Sequence, residues 1–359
     1  MSFPKAKKIK IQRYEGGLSK LAGISNPIKL SSNESALGCS PLAIKALDMV
    51  KKKIFKYPDT NTSLLKNKIS QQFNLNINRL IIGSGSDEVI SFACQAFLKP
   101  GDEVVVPEFA FLMYGIYSQI NGAKVVRAKE NNFKININSI LNCISKKTKI
   151  VFLANPNNPT GSYLSRNELR ALHKKLPQRV LLLVDDAYCE YVEQKDYSSG
   201  LDIFKNAKNV LVTRTFSKIY GLASLRLGWG YASEAIIASL LNYKPPFNIT
   251  TAAELAGVAA LKDKKWLQKN IKHNNYWRIK IFKKLNEKKI KCSQPTTNFF
   301  LMQFDKKYNA DSMFNKFAKY GVILRKMKNY KIKNSLRVTV GNAKECQLFI
   351  RLLDRFFNV

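Results

Sequence analysis

Short, almost wholly apolar runs recur between residues 79 and 213, and stretches with helical spacing separate them; few folds accept that alternation. The runs fall at residues 79–82, 103–106, 124–128, 150–153, 180–184 and 209–213. Between them lie helical patterns such as residues 87–97 and 165–176, the second opened by Ser165 and Glu168 in the spacing of a capping box. Strands that are apolar on both faces must be covered on both faces, so the expectation is an α/β fold with a mostly parallel sheet between helix layers. The pattern holds from about residue 62 to about residue 240 without a repeat or a low-complexity linker. After Pro245-Pro246 the chain turns to long, basic, amphipathic helix, then to strands at 299–304 and 336–340 and a closing helix at 345–357.

A parallel sheet gathers its ligands at the carboxyl ends of its strands, and the residues at those ends are chemically coherent here. Asp185 follows Leu181-Leu182-Leu183-Val184. The run at 209–213 leads into Thr213-Arg214-Thr215-Phe216-Ser217-Lys218, and then into a turn ending in Leu225-Arg226-Leu227-Gly228. Asn155-Pro156-Asn157-Asn158-Pro159-Thr160-Gly161 follows the run at 150–153, and Gly83-Ser84-Gly85-Ser86-Asp87-Glu88 opens a helix after the run at 79–82. Taken singly, these have ordinary explanations: a solvated lysine, a capping acid, or a turn rich in Asn, Pro and Gly. Taken together they supply what pyridoxal 5'-phosphate requires. Lys218 can form a Schiff base with its aldehyde, and Thr215, Ser217, Arg226 and free N–H groups at a helix start can hold its phosphate. Asp185 can face its pyridinium nitrogen.

Composition excludes other classes. Of the only two histidines, His173 lies on the helix that Ser165 and Glu168 open and His273 in a polar helical stretch, so neither a histidine-based metal site nor a Ser-His-Asp triad is expected, and the six cysteines are scattered without a C-x-x-C pair. The expectation is free thiols in a reducing cytoplasm and no metal. No apolar stretch reaches the roughly 20 residues that span a bilayer, and the basic first ten residues lack the apolar core of a secretion signal. The formal net charge of +35 raises the contrasting reading of a nucleic-acid-binding protein. The lysines are spread over helices, as at residues 51–53 and 262–272, in a chain also rich in Asn and Ile. They are not gathered into an arm or interleaved with aromatics, so no specific nucleic-acid or membrane partner is expected.

The ordered set of motifs resembles the fold-type-I, pyridoxal-phosphate-dependent aminotransferases, and within them the histidinol-phosphate aminotransferase family, over nearly the whole chain. Arg13-Tyr14-Glu15-Gly16-Gly17 resembles the family's N-terminal arm, with Gly16 where proline is usual. Lys29-Leu30-Ser31-Ser32-Asn33-Glu34, Tyr57-Pro58-Asp59 and Asn158-Pro159-Thr160-Gly161 match further stretches, and Arg325 and Arg337 sit in segments that resemble its two arginine motifs. The resemblance implies an arm and part of a small domain in residues 1–40, a large cofactor-binding domain in 41–245, and the rest of the small domain in 246–359.

It also implies roles. Lys218 would be the cofactor's lysine and the proton carrier, Asp185 the partner of the ring nitrogen, and Asp186, glutamate in most relatives, structural. Asn158 and Tyr188 would bind the ring's phenolic oxygen and Phe111 would stack on the ring. Ser86, Asp87, Thr215, Ser217 and Arg226 would hold the phosphate, with Tyr57 reaching it from the other subunit of a homodimer. Arg337 would grip the substrate carboxylate. Arg325, Tyr14 from the partner's arm, and Asn33 would complete the substrate pocket. The implied reaction passes the amino group of L-histidinol phosphate to 2-oxoglutarate. Two alternatives stay open on the same scaffold: an aromatic amino-acid aminotransferase and a threonine-phosphate decarboxylase.

Overall fold

A computed structural model describes residues 9, 11–294 and 296–357. Its central feature is a seven-stranded sheet made of β1 (Leu80–Gly83), β2 (Glu103–Pro107), β3 (Lys124–Ala128), β4 (Thr148–Ala154), β5 (Leu181–Asp185), β6 (Val210–Thr215) and β7 (Gly228–Tyr231). Their order across the sheet is β1-β7-β6-β5-β4-β2-β3. β3, β2, β4, β5 and β6 are mutually parallel, while β7 runs antiparallel to both of its neighbours. The apolar runs therefore form the expected mostly parallel sheet.

Strand alternation divides its core in two. Leu80, Ile82, Val151, Leu153, Leu182, Val184, Val210 and Val212 pack on one face. Ile81, Ile150, Phe152, Leu181, Leu183 and Leu211 pack on the other. A period of two with apolar residues in both phases leaves no solvent face, which is why these strands read as unbroken apolar runs. Burial of each such side chain is worth roughly 1.5–3 kcal/mol.

Two expectations are adjusted here. Pairing carries β6 through Thr215, opposite Gly228, so the polar residues begin inside the strand and not after it. Gly228, which the sequence places at the end of a turn, instead opens a strand that the apolar runs did not include, β7. Its glycines hide it from a propensity argument, yet they are what lets it lie close to its neighbours. A Cβ on Gly228 would overlap the Ser86 nitrogen and the Gly85 carbonyl carbon.

A second, four-stranded antiparallel sheet has the order Arg325–Lys326, Ser335–Thr339, Phe299–Gln303, Lys291–Cys292. The helices Lys264–Glu287, Ala310–Lys319 and Ala343–Phe356 pack against it through Ile281, Leu285, Phe314, Phe317, Phe349 and Leu353. The long basic helical region is two helices, Thr251–Lys262 and Lys264–Glu287, divided at Asp263, whose carboxylate caps the second by accepting from Trp266 N. Ile28–Lys29 runs parallel to Val322–Ile323. Thr339 N donates to the Leu30 carbonyl at 2.9 Å. These bonds deliver Ser31, Ser32 and Asn33 to the strand ends of the large sheet.

Candidate active site

The helix Ser86–Phe97 starts directly after β1, and its first N–H groups have no carbonyl within the helix to bond. Gly85, at φ +84°, makes the turn that presents them; the position favours glycine, and a Cβ there would strike the Arg226 guanidinium. Arg226 lies across this helix start, with its Nη1 donating to Ser217 Oγ at 3.2 Å and to the Ala223 carbonyl at 3.1 Å. Thr215 Oγ1 accepts from Ser217 N at 3.1 Å. A helix N-terminus, two hydroxyls and a guanidinium thus converge, and the helix dipole adds to their positive potential. Asp87 Oδ1 is buried without a hydrogen-bond partner, and burial raises the pKa of its carboxyl despite nearby Arg226 and Lys218.

Asp185 forms the floor of the cleft. Tyr114 Oη donates to its Oδ2 at 2.7 Å and Thr213 Oγ1 to its Oδ1 at 3.2 Å. Burial pushes the carboxyl up to about 6, with the Tyr114 hydrogen bond opposing that rise. Asp186 turns away and accepts from Gly200 N and Leu201 N at 3.0 and 3.2 Å, which ties it to the start of the short helix Gly200–Phe204. Lys218 is half-buried; its Nζ donates to the Ser32 carbonyl at 3.4 Å and lies 5.7 Å from the centre of the Tyr188 ring. Tyr188 Oη accepts from Asn33 Nδ2 at 2.9 Å, and Asn33 is itself fixed by two hydrogen bonds with Thr339 Oγ1.

Two buried arginines hold the other end. Arg337, on the strand Ser335–Thr339, donates through Nη1 to Asn158 Oδ1 at 2.6 Å and through Nη2 to the Ser31 carbonyl at 3.1 Å. Its Nε is buried without an acceptor, and its guanidinium lies 5.1 Å from the centre of the Phe299 ring. Arg325 Nη2 donates to the Glu15 carbonyl at 2.5 Å, so the N-terminal segment crosses over it. Tyr14 meets Phe111 edge to face at 6.4 Å. Tyr330 stands beside both arginines on an apolar base of Leu301, Met327 and Ile332.

A lysine, a buried acid and a helix start flanked by two hydroxyls and a guanidinium therefore share one cleft with two buried arginines. The sequence profile of the aminotransferases of class I and II matches residues 25–353. The chain belongs to that family. A histidinol-phosphate aminotransferase from Pelagibacter ubique (strain HTCC1062) is 51% identical over 360 residues, with 100% of each chain covered. Another from Maricaulis maris (strain MCS10) is 38% identical over 98% of each. Among solved structures, the histidinol-phosphate aminotransferase from Sinorhizobium meliloti in complex with pyridoxal-5'-phosphate shares the fold with a TM-score of 0.84, at 22% identity and 91% coverage of each chain.

The donor set of this aminotransferase fits pyridoxal phosphate. The convergence at Ser86, Thr215, Ser217 and Arg226 suits a dianion, Asp185 is an acid without a cation against it, and Lys218 lines the same cleft as both and as the arginines. Of the residues singled out from sequence, Lys218, Asp185, Tyr188, Asn158, Phe111, Ser86, Asp87, Thr215, Ser217, Arg226, Arg337, Arg325, Tyr14 and Asn33 all line this one cleft. Tyr57 does not. It is 84% exposed and stacks on Phe247 at 4.7 Å, on a separate apolar surface with Ile54 and Phe55. Tyr14 departs from expectation in another way: it was assigned to the partner's site, and the structure seats it in the cleft of its own chain, because Glu15 is held by Arg325 and Asn329.

Sequence reasoning missed Tyr114, Tyr330, Ser31 and Ser32. Tyr114 sits inside an apolar helix, where a tyrosine reads as core. Ser31 and Ser32 contribute through backbone carbonyls, which side-chain type does not signal.

Proposed function

We propose that this aminotransferase catalyses reversible transfer of the amino group of L-histidinol phosphate to 2-oxoglutarate, giving imidazole acetol phosphate and L-glutamate, as a cytoplasmic homodimer. The observation that carries the reading is the pair of buried arginines, Arg325 and Arg337, facing the same cleft as the phosphate cradle and Lys218. The substrate named follows the relatives that share full-length similarity with the chain.

When bound, pyridoxal phosphate supplies an aldehyde that takes up the amino group and a ring that accepts the electrons released at the substrate carbon. The residues of the chain do the rest. Ser86 and Asp87 N–H groups, Thr215, Ser217 and Arg226 hold the phosphate. Phe111 would cover the ring, and Asn158 and Tyr188 would bond its phenolic oxygen. Asp185 keeps a proton on the ring nitrogen. Lys218 Nζ, within reach of the Ser32 carbonyl, takes the proton from the substrate carbon as base and returns it as acid. Glutamate brings two carboxylates, whereas histidinol phosphate brings a phosphate and an imidazole. Arg337 has an unused Nε for an anion, and Arg325 can exchange the neutral Glu15 carbonyl for a charged acceptor, a stronger bond.

Homodimerisation is supported by the exposed apolar surface around Tyr57, where Ile54 and Phe55 are 78% and 79% exposed. Among the described residues, no helix is long and apolar enough to cross a membrane.

The test is single-turnover conversion of the cofactor-loaded protein with histidinol phosphate, glutamate, phenylalanine and threonine phosphate. Loss of a charged hydrogen bond costs about 1.5–3 kcal/mol. Arg337→Ala should therefore weaken histidinol phosphate and glutamate together by about ten- to hundred-fold. Arg325→Ala should spare phenylalanine, which has no distal charge. Preference of the wild type for phenylalanine, with histidinol phosphate ignored, removes the named substrate and leaves the aminotransferase.

A further inference from the structure

Tyr114 is a fully buried tyrosine that the reaction outlined above does not use. It lies in the helix Leu112–Ile120, one turn after Phe111, and its ring stacks on Phe152 of β4 at 5.0 Å with an interplanar angle of 9°. Phe111 meets it edge-on at 5.5 Å. With no exposed surface and an aromatic ring against its face and another against its edge, the Tyr114 ring has no room to swing away. Its hydroxyl has one hydrogen-bond acceptor, Asp185 Oδ2 at 2.7 Å.

That bond has a directional consequence. A phenol donates to a carboxylate and stabilises its charged form, whereas a buried carboxyl without donors drifts to the neutral form. Of the other groups facing Asp185, the Thr213 hydroxyl and the Ala187 N–H also favour its charge, and two acids oppose it. Asp87, from the helix Ser86–Phe97, and Asp186, next to it in sequence, are both acids. Thr213 adds a longer bond from β6, and Tyr188 and Lys218 line the same cleft. Tyr114 is thus the shortest donor holding Asp185 ionised in a place where burial favours a neutral acid. Burial also raises the tyrosine's own pKa well above its ordinary value, so it stays a donor across the physiological range.

We propose that Tyr114 is a positioning residue of this enzyme: its hydroxyl, locked by stacking on Phe152, keeps Asp185 a carboxylate, so that the proton it shares with the cofactor stays on the ring nitrogen. The inference rests on the cofactor reading above. Tyr114 touches neither substrate nor cofactor in this role and acts through Asp185 alone. Removing the hydroxyl makes Asp185 the more basic partner, and the shared proton moves from nitrogen to oxygen.

The experiment uses the full-length protein loaded with pyridoxal phosphate labelled with 15N in the ring. In the wild type the 15N resonance lies at the protonated-pyridine position at neutral pH. In Tyr114→Phe, which keeps the ring and its stacking, it moves toward the neutral-pyridine position, while the cofactor's phosphate contacts hold it in place. An unchanged resonance in the folded, loaded variant overturns the proposal. A second measurement needs no mutation: in wild-type protein labelled with 13C at Tyr114 Cζ, replacing the cofactor by its 1-deaza analogue, which has no ring nitrogen, shifts the Tyr114 signal through Asp185. A signal that ignores the exchange also overturns the proposal. Failure of the wild type to take up pyridoxal phosphate at all overturns the cofactor reading itself, and this proposal with it.

Discussion

Gly228→Ala tests whether the phosphate cradle depends on the close approach of β7 to the helix start. The new Cβ would overlap the Ser86 nitrogen and the Gly85 carbonyl carbon and lie 2.9 Å from Ser86 Cα, whereas ordinary contacts begin at 3.4 Å. All of these neighbours are backbone or anchored to it, so no side chain can rotate aside. β7 and the helix start must separate by about 1 Å, an overpacking strain worth about 1–3 kcal/mol. The same movement carries the Ser86 and Asp87 N–H groups away from Thr215, Ser217 and Arg226. If it breaks one charged hydrogen bond to the phosphate, at about 1.5–3 kcal/mol, cofactor affinity falls about ten- to hundred-fold. Fluorescence titration of the apoprotein with pyridoxal phosphate measures that affinity, and thermal unfolding of the same sample measures the strain. Gly16→Ala is the control, because a Cβ there meets nothing within 4 Å. A Gly228→Ala protein with the cofactor affinity and Tm of the control would refute the argument that this glycine sets the cradle.

Other expectations follow from the site. Lys218→Ala should lose multiple turnover while still binding pyridoxal phosphate through its other contacts; turnover by the purified variant without added amine would reassign the proton carrier. Asp185→Ala should slow the pre-steady-state half-reaction far more than Asp186→Ala, whose carboxylate is committed to Gly200 N and Leu201 N; a larger activity loss in the Asp186 variant at equal folded fraction would invert the assignment. Mixing Lys218→Ala with Tyr57→Ala should restore activity, because one site per mixed dimer regains both residues; no recovery despite verified subunit exchange would mean that Tyr57 serves no partner. Glu130, beside Glu108 and with its Oε2 buried and unpartnered, is pushed by burial to about 8. A carboxyl whose pKa is raised in the folded state contributes stability below its unfolded pKa and loses it as pH rises through the folded value. Glu130→Gln should therefore raise Tm relative to wild type at pH 8 and not at pH 4, and a pH-independent difference would contradict this.

The parallel strands were legible because burial on both faces writes itself as unbroken apolar residues, and the helix Arg166–Lys175 because its capping box is a local motif. β7 was not, since its glycines serve contacts with Gly85 and Ser86 that are remote in sequence. The two-residue strands Ile28–Lys29 and Arg325–Lys326 leave too short a pattern to recognise. At the site, side chains on strand ends were found because their chemistry is conspicuous there. Tyr114 was overlooked because the only sign of its role is a distance to Asp185, 71 positions away. The seating of Tyr14 in its own chain depends on the Arg325–Glu15 bond, which sequence spacing does not reveal.

The two ends of the cleft are built differently, and that difference bears on how one site serves two unlike amino donors. At the cofactor end a helix start, strand termini and glycines that admit no Cβ fix where the short side chains of Thr215 and Ser217 and the Arg226 guanidinium sit. Nothing there can adjust to a substrate. The far end is made of long side chains whose present partners are exchangeable, since Arg337 rests on an Asn158 amide oxygen and the Ser31 carbonyl, and Arg325 on the Glu15 carbonyl. Each is a neutral acceptor that an incoming carboxylate or phosphate outcompetes through charge. Glutamate and histidinol phosphate present their anions at different distances from the reacting carbon, and only this end can absorb the difference. Changes at the cradle should therefore lower activity with both donors by a common factor. Changes at Arg325 should alter their ratio, because guanidinium reach and not cofactor placement sets the choice between them.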